Sequence, residues 1–341
     1  MTGYGCEEFG RLKTALLHTP TGEALSLVRA HSREHYLFDR VPDASAFIDE
    51  HRRYAELLAS CGVEVLQLAD YVVRHRELMA RLPNLCYLHD IAVVHSRGAI
   101  LSQMAWPGRA GEEVVVGEAL SSLGVPLLYA AGGGGAFEGC LLLSPRTVFV
   151  AECERHSRAA VERFASAMLN HFDEVVMAEV PKARRFMHPD TVLGRVSERL
   201  FLAYPPALRH TWLLSAANGR VERRRIDLPR LLEERGIKVM AVSDAEQSRL
   251  ACTFVPLEPG VILHYEHALS KQTRRRLERR GVEVIPFVPD ALLAGGGSLR
   301  CITLRLSRGP VAEESAAPRP PALEERRAQS RTGGEQTLQG I

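Results

Sequence analysis

The chain has 341 residues, of which 46% are apolar and 25% are charged, and its formal net charge is +2. This composition is typical of a globular protein with a sizeable core, and so weak a net charge does not favour binding to nucleic acid or to a membrane surface. No apolar run reaches the roughly 18 residues of a membrane span, and the N-terminus lacks a signal-peptide pattern. We therefore expect a cytoplasmic protein that binds neither nucleic acid nor membrane.

The seven cysteines are odd in number and contain no C-x-x-C pair. A disulfide scaffold has dense, paired cysteines, and a structural zinc site needs closely spaced ligand pairs. The pattern therefore argues against both, and it favours reduced thiols in a cytosol.

Short apolar strands alternate with amphipathic helices along most of the chain. The predicted strands are residues 14–19, 63–68, 91–96, 99–104, 140–144, 147–152, 174–180, 200–204, 238–242, 253–257, 261–265, 282–288 and 301–306. The predicted helices are residues 44–60, 112–123, 157–171, 228–235 and 270–280. Gly62, Gly236 and Gly281 each follow a predicted helix directly before a strand, as expected for glycines that end helices.

The order strand, strand, helix, strand recurs, which indicates one α/β domain with internal pseudo-symmetry. A Rossmann fold is disfavoured, because no G-x-G-x-x-G opens a helix after the first strand. Residues 309–341 are rich in Pro, Glu, Arg, Ser and Gly, a composition that buries too little apolar surface to fold. We predict a single catalytic domain over residues 1–308 and a disordered tail over residues 309–341.

Three stretches place a carboxylate or histidine beside an apolar segment. Asn84 and Asp90 lie within L-P-N-L-C-Y-L-H-D, and Glu138 precedes an apolar strand in F-E-G-C. His188 and Asp190 are two residues apart in M-H-P-D, so both would point to one face of an extended segment. Each residue also has a structural explanation: an aspartate before a strand makes a turn, and a glutamate starts a solvated strand.

A fourth stretch, A-G-G-G-S-L-R-C, places Cys301 between a glycine-rich loop and a predicted strand. Glycines let the backbone approach a ligand, although a free cysteine is among the most buried residue types. Together the four stretches contain a sensible set for one reaction. Carboxylates can bind a guanidinium by charge-assisted hydrogen bonds, a thiolate can attack its carbon, and a histidine can protonate the departing nitrogen.

With these motifs the chain resembles arginine deiminases, members of the guanidino-group modifying superfamily with the pentein fold, a five-bladed pseudo-symmetric α/β propeller. The resemblance runs over residues 5–308 and includes E-F-G-R-L-K-T-A-L-L-H-T-P, L-P-N-L-C-Y-L-H-D, M-A-W-P-G-R, F-E-G-C, E-C-E-R-H-S, M-H-P-D-T-V-L and G-G-G-S-L-R-C-I-T. The large helical insertion of arginine deiminases, expected before L-P-N-L, is mostly absent.

The resemblance also implies a role for each candidate residue. Cys301 would be the nucleophile and His188 the general acid and base, while Asp90 and Asp190 hold the guanidinium and Glu138 orients the substrate and His188. The α-carboxylate and backbone of the substrate would be bound by Asn84, Arg109 and Arg155. The implied partner is a small guanidino compound, arginine or an analogue. No metal or organic cofactor is implied, and the oligomeric state stays open, with a homo-oligomer among the options.

Several positions depart from the family pattern, among them the stretch Y-E-H-A ending at Ala268, where the family has Y-E-R-N. His89 stands where arginine deiminases usually have an arginine, Leu141 where they have an aspartate, and Gly296 where they have another arginine. We expect a hydrolase that converts arginine to citrulline and ammonia, with a dihydrolase that forms ornithine as a variant. The alternatives are an amidinotransferase that uses an amine acceptor and a non-catalytic relative that binds a guanidino ligand.

Overall fold

The computed structural model describes residues 3–7, 9–132, 135–217 and 220–310. The strands in chain order are β1 (Arg11–Leu17), β2 (Glu64–Gln67), β3 (Ala92–His95), β4 (Gly98–Leu101), β5 (Leu127–Ala130), β6 (Leu141–Ser144), β7 (Thr147–Glu152), β8 (Glu174–Glu179), β9 (Leu193–Ser197), β10 (Leu200–Ala203), β11 (His210–Ala217), β12 (Arg220–Ile226), β13 (Lys238–Ala241), β14 (Val255–Glu258), β15 (Val261–Tyr265), β16 (Glu283–Phe287) and β17 (Leu304–Gly309). The α-helices are α1 (Gly22–Ser26), α2 (Ala44–Ser60), α3 (Arg76–Met79), α4 (Leu88–Ile91), α5 (Glu112–Ser122), α6 (Arg158–Met168), α7 (Leu228–Glu234), α8 (Asp244–Gln247) and α9 (Lys271–Glu278).

Within the described ranges the strands form five sheets, and every sheet contains both an antiparallel and a parallel pair. In the sheet of β3, β4 and β5, for example, the first two strands are antiparallel, and α5 leads to a parallel third strand. In another sheet, β17 pairs antiparallel with β1, and α2 leads to β2, which is parallel to β1. The two ends of the described chain thus meet in one sheet, and the predicted order strand, strand, helix, strand is present.

Helix boundaries follow local chemistry. The N-cap side chains of Asp43, Ser157, Asp227 and Ser270 each accept a hydrogen bond from the backbone N–H three residues on, which satisfies a donor that the first helical turn leaves open. The glycines predicted to end helices all have positive φ. The five predicted helices are therefore confirmed, with shifts of only a few residues at their ends.

The strand predictions missed β5, β9, β11 and β12. The hairpin of β11 and β12 extends the sheet of β6, β7 and β8, and all residues of β12 except Ile226 are exposed. An edge strand of this kind has no alternation of apolar and polar residues for the sequence to reveal. The strand predicted at residues 301–306 begins only at Leu304, because Cys301 lies in a turn.

Apolar clusters lie between neighbouring sheets. Leu16 of β1, Val94 of β3 and Leu304 of β17 share one cluster, and a second cluster joins Val93 of β3 to Val148 of β7.

Between β2 and Asn84 the fully described chain has one 3₁₀ turn and the four-residue helix α3, so it lacks a long helical insertion. Gly309 ends β17, and residues 311–341 of the predicted tail lie outside the described residues.

All seven cysteines lie within the described residues. None of the seven is in a disulfide, and all are buried. No helix in the described ranges is both long enough and apolar enough to cross a membrane.

Candidate active site

Cys301 lies in the turn that precedes β17, and it is 9% exposed. Its thiol contacts Ser298 Oγ at 3.3 Å, and its carbonyl oxygen accepts a hydrogen bond from the backbone N–H of His89 at 2.9 Å. Burial raises the pKa of the Cys301 thiol, and the negative charges of Asp90 and Asp190 raise it further. The thiol of the unliganded protein is therefore protonated at neutral pH.

The three glycines before Cys301 are required by close packing. A Cβ at Gly295 or Gly297 would overlap the side chain of Tyr87, and Gly296 has φ of +73°, which favours glycine. A Cβ at Gly296 would also lie 3.2 Å from Nη2 of Arg184. The arginine that the family usually has at position 296 is thus absent, but the Arg184 guanidinium lies beside that position.

His188 lies at the end of the segment that follows β8, and it is buried. Its Nε2 donates to Glu138 Oε2 at 2.8 Å, while Nδ1 lies 3.5 Å from Asp90 Oδ1. Burial by itself lowers the pKa of His188, but the charges of Asp90, Glu138 and Asp190 outweigh it, and the net pKa is raised. A protonated imidazole held between carboxylates is suited to donate a proton.

Glu138 lies behind His188, three residues before the first residue of β6, and is buried. Besides His188 it accepts a hydrogen bond from the backbone N–H of Ala105 at 2.7 Å. Burial favours the neutral acid, but the hydrogen bond from His188 and the nearby charges of Arg109 and Arg155 lower the pKa of Glu138 to about 2. The explanation of Glu138 as a solvated strand start is therefore wrong, because this carboxylate is a buried anion.

Asp90 lies in the short helix α4 rather than in an isolated turn. Its Oδ2 accepts a hydrogen bond from Nη1 of Arg109 at 2.8 Å. Arg109, in a 3₁₀ turn after Trp106, also binds Glu112 through Nε at 2.9 Å. In the unliganded protein, Asp90 therefore already binds a guanidinium, that of the chain's own Arg109.

Asp190 has a different environment from Asp90. Pro189–Thr191 form a 3₁₀ turn, so the expected extended segment is wrong. Asp190 Oδ2 lies 3.0 Å from Nε of Arg300 and 3.8 Å from Nε2 of His89. Burial and the charge of Arg300 lower the pKa of His89, so His89 is neutral. Arg300, which the sequence reading quoted but gave no role, is the cationic partner of Asp190.

Asn84 and Arg155 are both buried. Asn84 Nδ2 donates to the carbonyl oxygen of Tyr36 at 2.6 Å. Arg155 Nη1 lies 3.6 Å from Glu138 Oε2, yet Nε and Nη1 of Arg155 have no hydrogen-bond partner. A buried guanidinium with unused donors is unusual, because buried polar groups are normally paired.

One cavity brings most of the predicted residues together. Six of the eight line it: Asn84, Asp90, Arg109, Arg155, His188 and Cys301. Glu138 lies behind His188 and Asp190 behind the cavity wall, in contact with Arg300. The cavity is also lined by residues to which the sequence reading gave no role, including Leu37, Tyr87, Arg184, Met187, Leu250 and Thr253. Of these, Tyr87 lies within the motif L-P-N-L-C-Y-L-H-D and Met187 within M-H-P-D.

Leu141, where the family has an aspartate, is a buried residue of β6 within an apolar cluster. Among the described residues, no three histidine, cysteine, aspartate or glutamate side chains are grouped as a metal ion would require. The ionisable groups at the cavity bind one another instead.

Comparison with known proteins decides the family. The family model "Arginine deiminase" matches residues 71–308, which is more than half of the chain. The chain belongs to the arginine deiminase family. The arginine deiminase of Listeria monocytogenes is 24% identical over 88% of this chain and 96% of its own length. The uncharacterized protein YkgA of Bacillus subtilis is 25% identical to this chain, and the match covers 89% of this chain and 94% of YkgA.

Solved structures show the same fold at lower identity. The N-terminal domain of ArgZ, a cyanobacterial arginine dihydrolase bound to its substrate, is 18% identical with a TM-score of 0.65, and the match covers 86% of this chain and 98% of that domain. DDAH of Pseudomonas aeruginosa in complex with citrulline is 15% identical with a TM-score of 0.62, covering 86% and 99% of the two chains. Unliganded AgrE, at 19% identity and a TM-score of 0.65, is matched over 89% of this chain, which spans only 40% of AgrE. This arginine deiminase family member thus has the mixed α/β fold of pentein enzymes, and family and fold together support a hydrolase that acts on a guanidino group.

Proposed function

We propose that this protein hydrolyses arginine to citrulline and ammonia through a covalent bond between Cys301 and the guanidinium carbon. The observation that supports this proposal is the convergence of Cys301, His188 and Asp90 on one cavity, although they are far apart in sequence. A thiol, an imidazole and a carboxylate in one buried cavity are the groups that this reaction requires.

The substrate itself supplies the charge that activates the thiol. Cys301 is neutral in the unliganded protein because burial and two carboxylates raise its pKa. A guanidinium bound beside Asp90 adds a positive charge, which lowers the thiol pKa. The thiolate then forms a C–S bond to the guanidinium carbon, and a C–N bond of the tetrahedral adduct breaks.

His188 acts on both halves of the reaction. It donates a proton to the departing nitrogen, so that ammonia leaves and the thiouronium intermediate remains. It then takes a proton from water, whose oxygen attacks the same carbon, and the C–S bond breaks to release citrulline and the Cys301 thiol. Glu138, which accepts from His188 Nε2 at 2.8 Å, holds the ring in place and stabilises its protonated form.

Substrate binding exchanges one guanidinium for another. Asp90 binds Arg109 in the unliganded protein, so the substrate must take over at least one oxygen of Asp90. Glu112 contacts Nε and Nη2 of Arg109 at 2.9 and 2.8 Å, and it retains Arg109 after the exchange. Asp190 is in contact with Arg300 and acts on the substrate through its charge near Cys301.

Arg155 is the anchor that we propose for the α-carboxylate of the substrate. It lines the cavity, and two of its nitrogens have no hydrogen-bond partner. An arginine fork matches the geometry of a carboxylate. Asn84 and Arg109, in the same cavity, would contact the backbone atoms of the substrate.

A second candidate is a dihydrolase that releases ornithine, carbon dioxide and two molecules of ammonia from arginine and two of water. ArgZ, described as an arginine dihydrolase, supports it through its fold similarity to this chain. The two reactions begin with the same attack by Cys301. They differ in whether the citrulline carbon is hydrolysed further.

We also propose that the five sheets form a closed five-bladed ring. Sheet contacts support it: β17 packs on β3, β1 packs on β14, and β14 packs on β9. The shared clusters of the β3 and β7 sheets and of the β7 and β9 sheets supply the remaining two contacts.

Incubation of the purified full chain with arginine alone tests the proposal, with citrulline, ornithine and ammonia separated and quantified. Citrulline and ammonia in equal amounts are expected, and ornithine with two equivalents of ammonia would instead establish the dihydrolase.

Cys301→Ala should abolish turnover, whereas Cys86→Ala should retain it, because Cys86 is in the same apolar cluster but does not line the cavity. No product with arginine alone, followed by ornithine when an amine acceptor is added, would replace hydrolysis with amidinotransfer; no product in either case would leave a guanidino-binding protein.

A further inference from the structure

A second cavity lies apart from the one around Cys301 and shares no lining residue with it. Four arginines line it: Arg195, Arg300, Arg305 and Arg308. The only carboxylate among the described residues that line it is Glu258. The positive charges of four guanidinium groups around one small cavity repel one another, and an anion bound between them would offset this repulsion.

Arg305 forms no ion pair with any of the described residues. Within the described part of the chain its side chain makes no hydrogen bond or ion pair, and its Nε is buried. Desolvation and the charges of Arg300 and Arg308 lower the pKa of Arg305. Arg305 as a whole is only partly buried, but its Nε is shielded from water and has no hydrogen-bond partner. A charged group that loses water without gaining a partner is costly, so Arg305 would be stabilised by a bound anion.

Arg300 and Arg308 are held so that they keep donors or charge for a ligand. Arg308 donates to the carbonyl oxygens of Gly10 and Pro256, which position the side chain without neutralising it. Arg300 contacts Asp190 only through Nε, and its Nη2 is buried without a hydrogen-bond partner. Arg300 is 1% exposed, so the cavity is the available space for a group that pairs with Nη2.

From these contacts we infer that the cavity lined by Arg300, Arg305 and Arg308 binds a small inorganic anion. The volume that is open to the centre of a water molecule in this cavity is about 20 Å³. This is enough space for one or two water-sized species. This volume fits a halide or a compact oxyanion and excludes a nucleotide. The guanidinium group of an arginine suits both a halide and an oxyanion, because it presents several charge-assisted N–H donors to one anion.

The site is connected to the candidate active site through one side chain. Arg300 lines the anion cavity, and its Nε contacts Asp190, two residues from His188. An anion on Nη2 would hold Arg300 in place and offset its charge. Binding at this site does not depend on turnover of any substrate, so it can be tested whether or not the proposed hydrolysis is correct.

Binding is measured by thermal unfolding of the full chain in sodium bromide against sodium gluconate at constant ionic strength, and by anomalous diffraction from bromide-soaked crystals. We expect a saturable rise of several degrees in melting temperature and an anomalous peak among Arg300, Arg305 and Arg308. A larger rise with inorganic phosphate than with bromide at equal concentration would identify an oxyanion as the preferred ligand. An unchanged melting temperature with both anions and no peak in the cavity would overturn the inference.

Arg305→Met is the variant that tests the ligand set. It should lose the melting-temperature rise and the anomalous peak, and it should be at least as stable as the wild type in gluconate, because an unpaired charge with a buried Nε is removed. Arg224→Met is the matched control, since Arg224 is exposed on β12, and it should keep the full response. A full response in Arg305→Met would also overturn the inference, and the wild-type crystal decides the question if that variant does not fold.

Discussion

Nε2 of His188 lies 2.8 Å from Oε2 of Glu138, a carboxylate whose pKa is lowered to about 2. The two side chains come from segments 50 residues apart in the chain. The Glu138 carboxylate therefore stays ionised beside Nε2 at neutral pH, and its charge and hydrogen bond help to raise the pKa of His188. The protonation state of His188 therefore depends on its contact with Glu138.

Glu138→Gln should lower kcat for arginine by about 10²-fold, the low end of what a general acid and base contributes. In the pH profile of kcat, the fall in rate on the alkaline side reports loss of the proton from His188. Because the charge of Glu138 raises the pKa of His188, removing it should move this limb to lower pH. Steady-state rates measured from pH 5 to 9 check both changes, with exposed Glu162→Gln as control. A lower rate with an unshifted limb would contradict the proposed role of Glu138.

The Cys301 thiol should react slowly with iodoacetamide in the unliganded protein at pH 7, because its pKa is raised by burial and by Asp90. Asp90→Asn should accelerate alkylation several-fold, since it removes a negative charge and leaves the Arg109 guanidinium nearby. Mass spectrometry of the peptide that contains Cys301 measures the rate. Equal or slower alkylation in Asp90→Asn would mean that access, and not charge, limits the reaction.

Arg155→Met should raise KM for arginine by roughly 10- to 100-fold, because a charge-assisted hydrogen bond contributes about 1.5–3 kcal/mol. Inhibition by an alkylguanidine, which has no carboxylate, should change little. The contrast between the two ligands separates loss of a carboxylate anchor from general damage to the cavity. An equal loss of affinity for both would assign Arg155 to the guanidinium end or to the structure of the cavity.

Gly295→Ala should destabilise the protein by about 1–3 kcal/mol, the usual cost of overpacking, because its Cβ would overlap the Tyr87 side chain. Tyr87→Ala in the same chain should recover much of that loss, which a double-mutant cycle in urea would show. Gly22→Ala is the control, since a Cβ at Gly22 meets nothing within 4 Å. Additive effects of the Gly295 and Tyr87 substitutions would contradict the packing explanation.

Helices and central strands were readable from the sequence because their determinants are local. Apolar periodicity and cap residues located α2 (Ala44–Ser60) without error at either end, and short apolar runs located β7 and β15. The strand β12 was not readable, because its exposed residues R-V-E-R-R-R carry no periodic signal and its position depends on pairing with β11. The sequence predicts a strand through Cys301, because an alternating apolar pattern continues across the turn that the structure has there.

The sequence by itself determined which residues were candidates for the chemistry and, through its motifs, the arginine deiminase family. Only the tertiary structure decided their relationships: Asp90 contacts Arg109, Asp190 contacts Arg300, and Glu138 binds His188. The physical reason is that charge pairing in a buried site depends on distances between segments far apart in the chain. Residue type states what a side chain can do, and the fold determines which partner it meets.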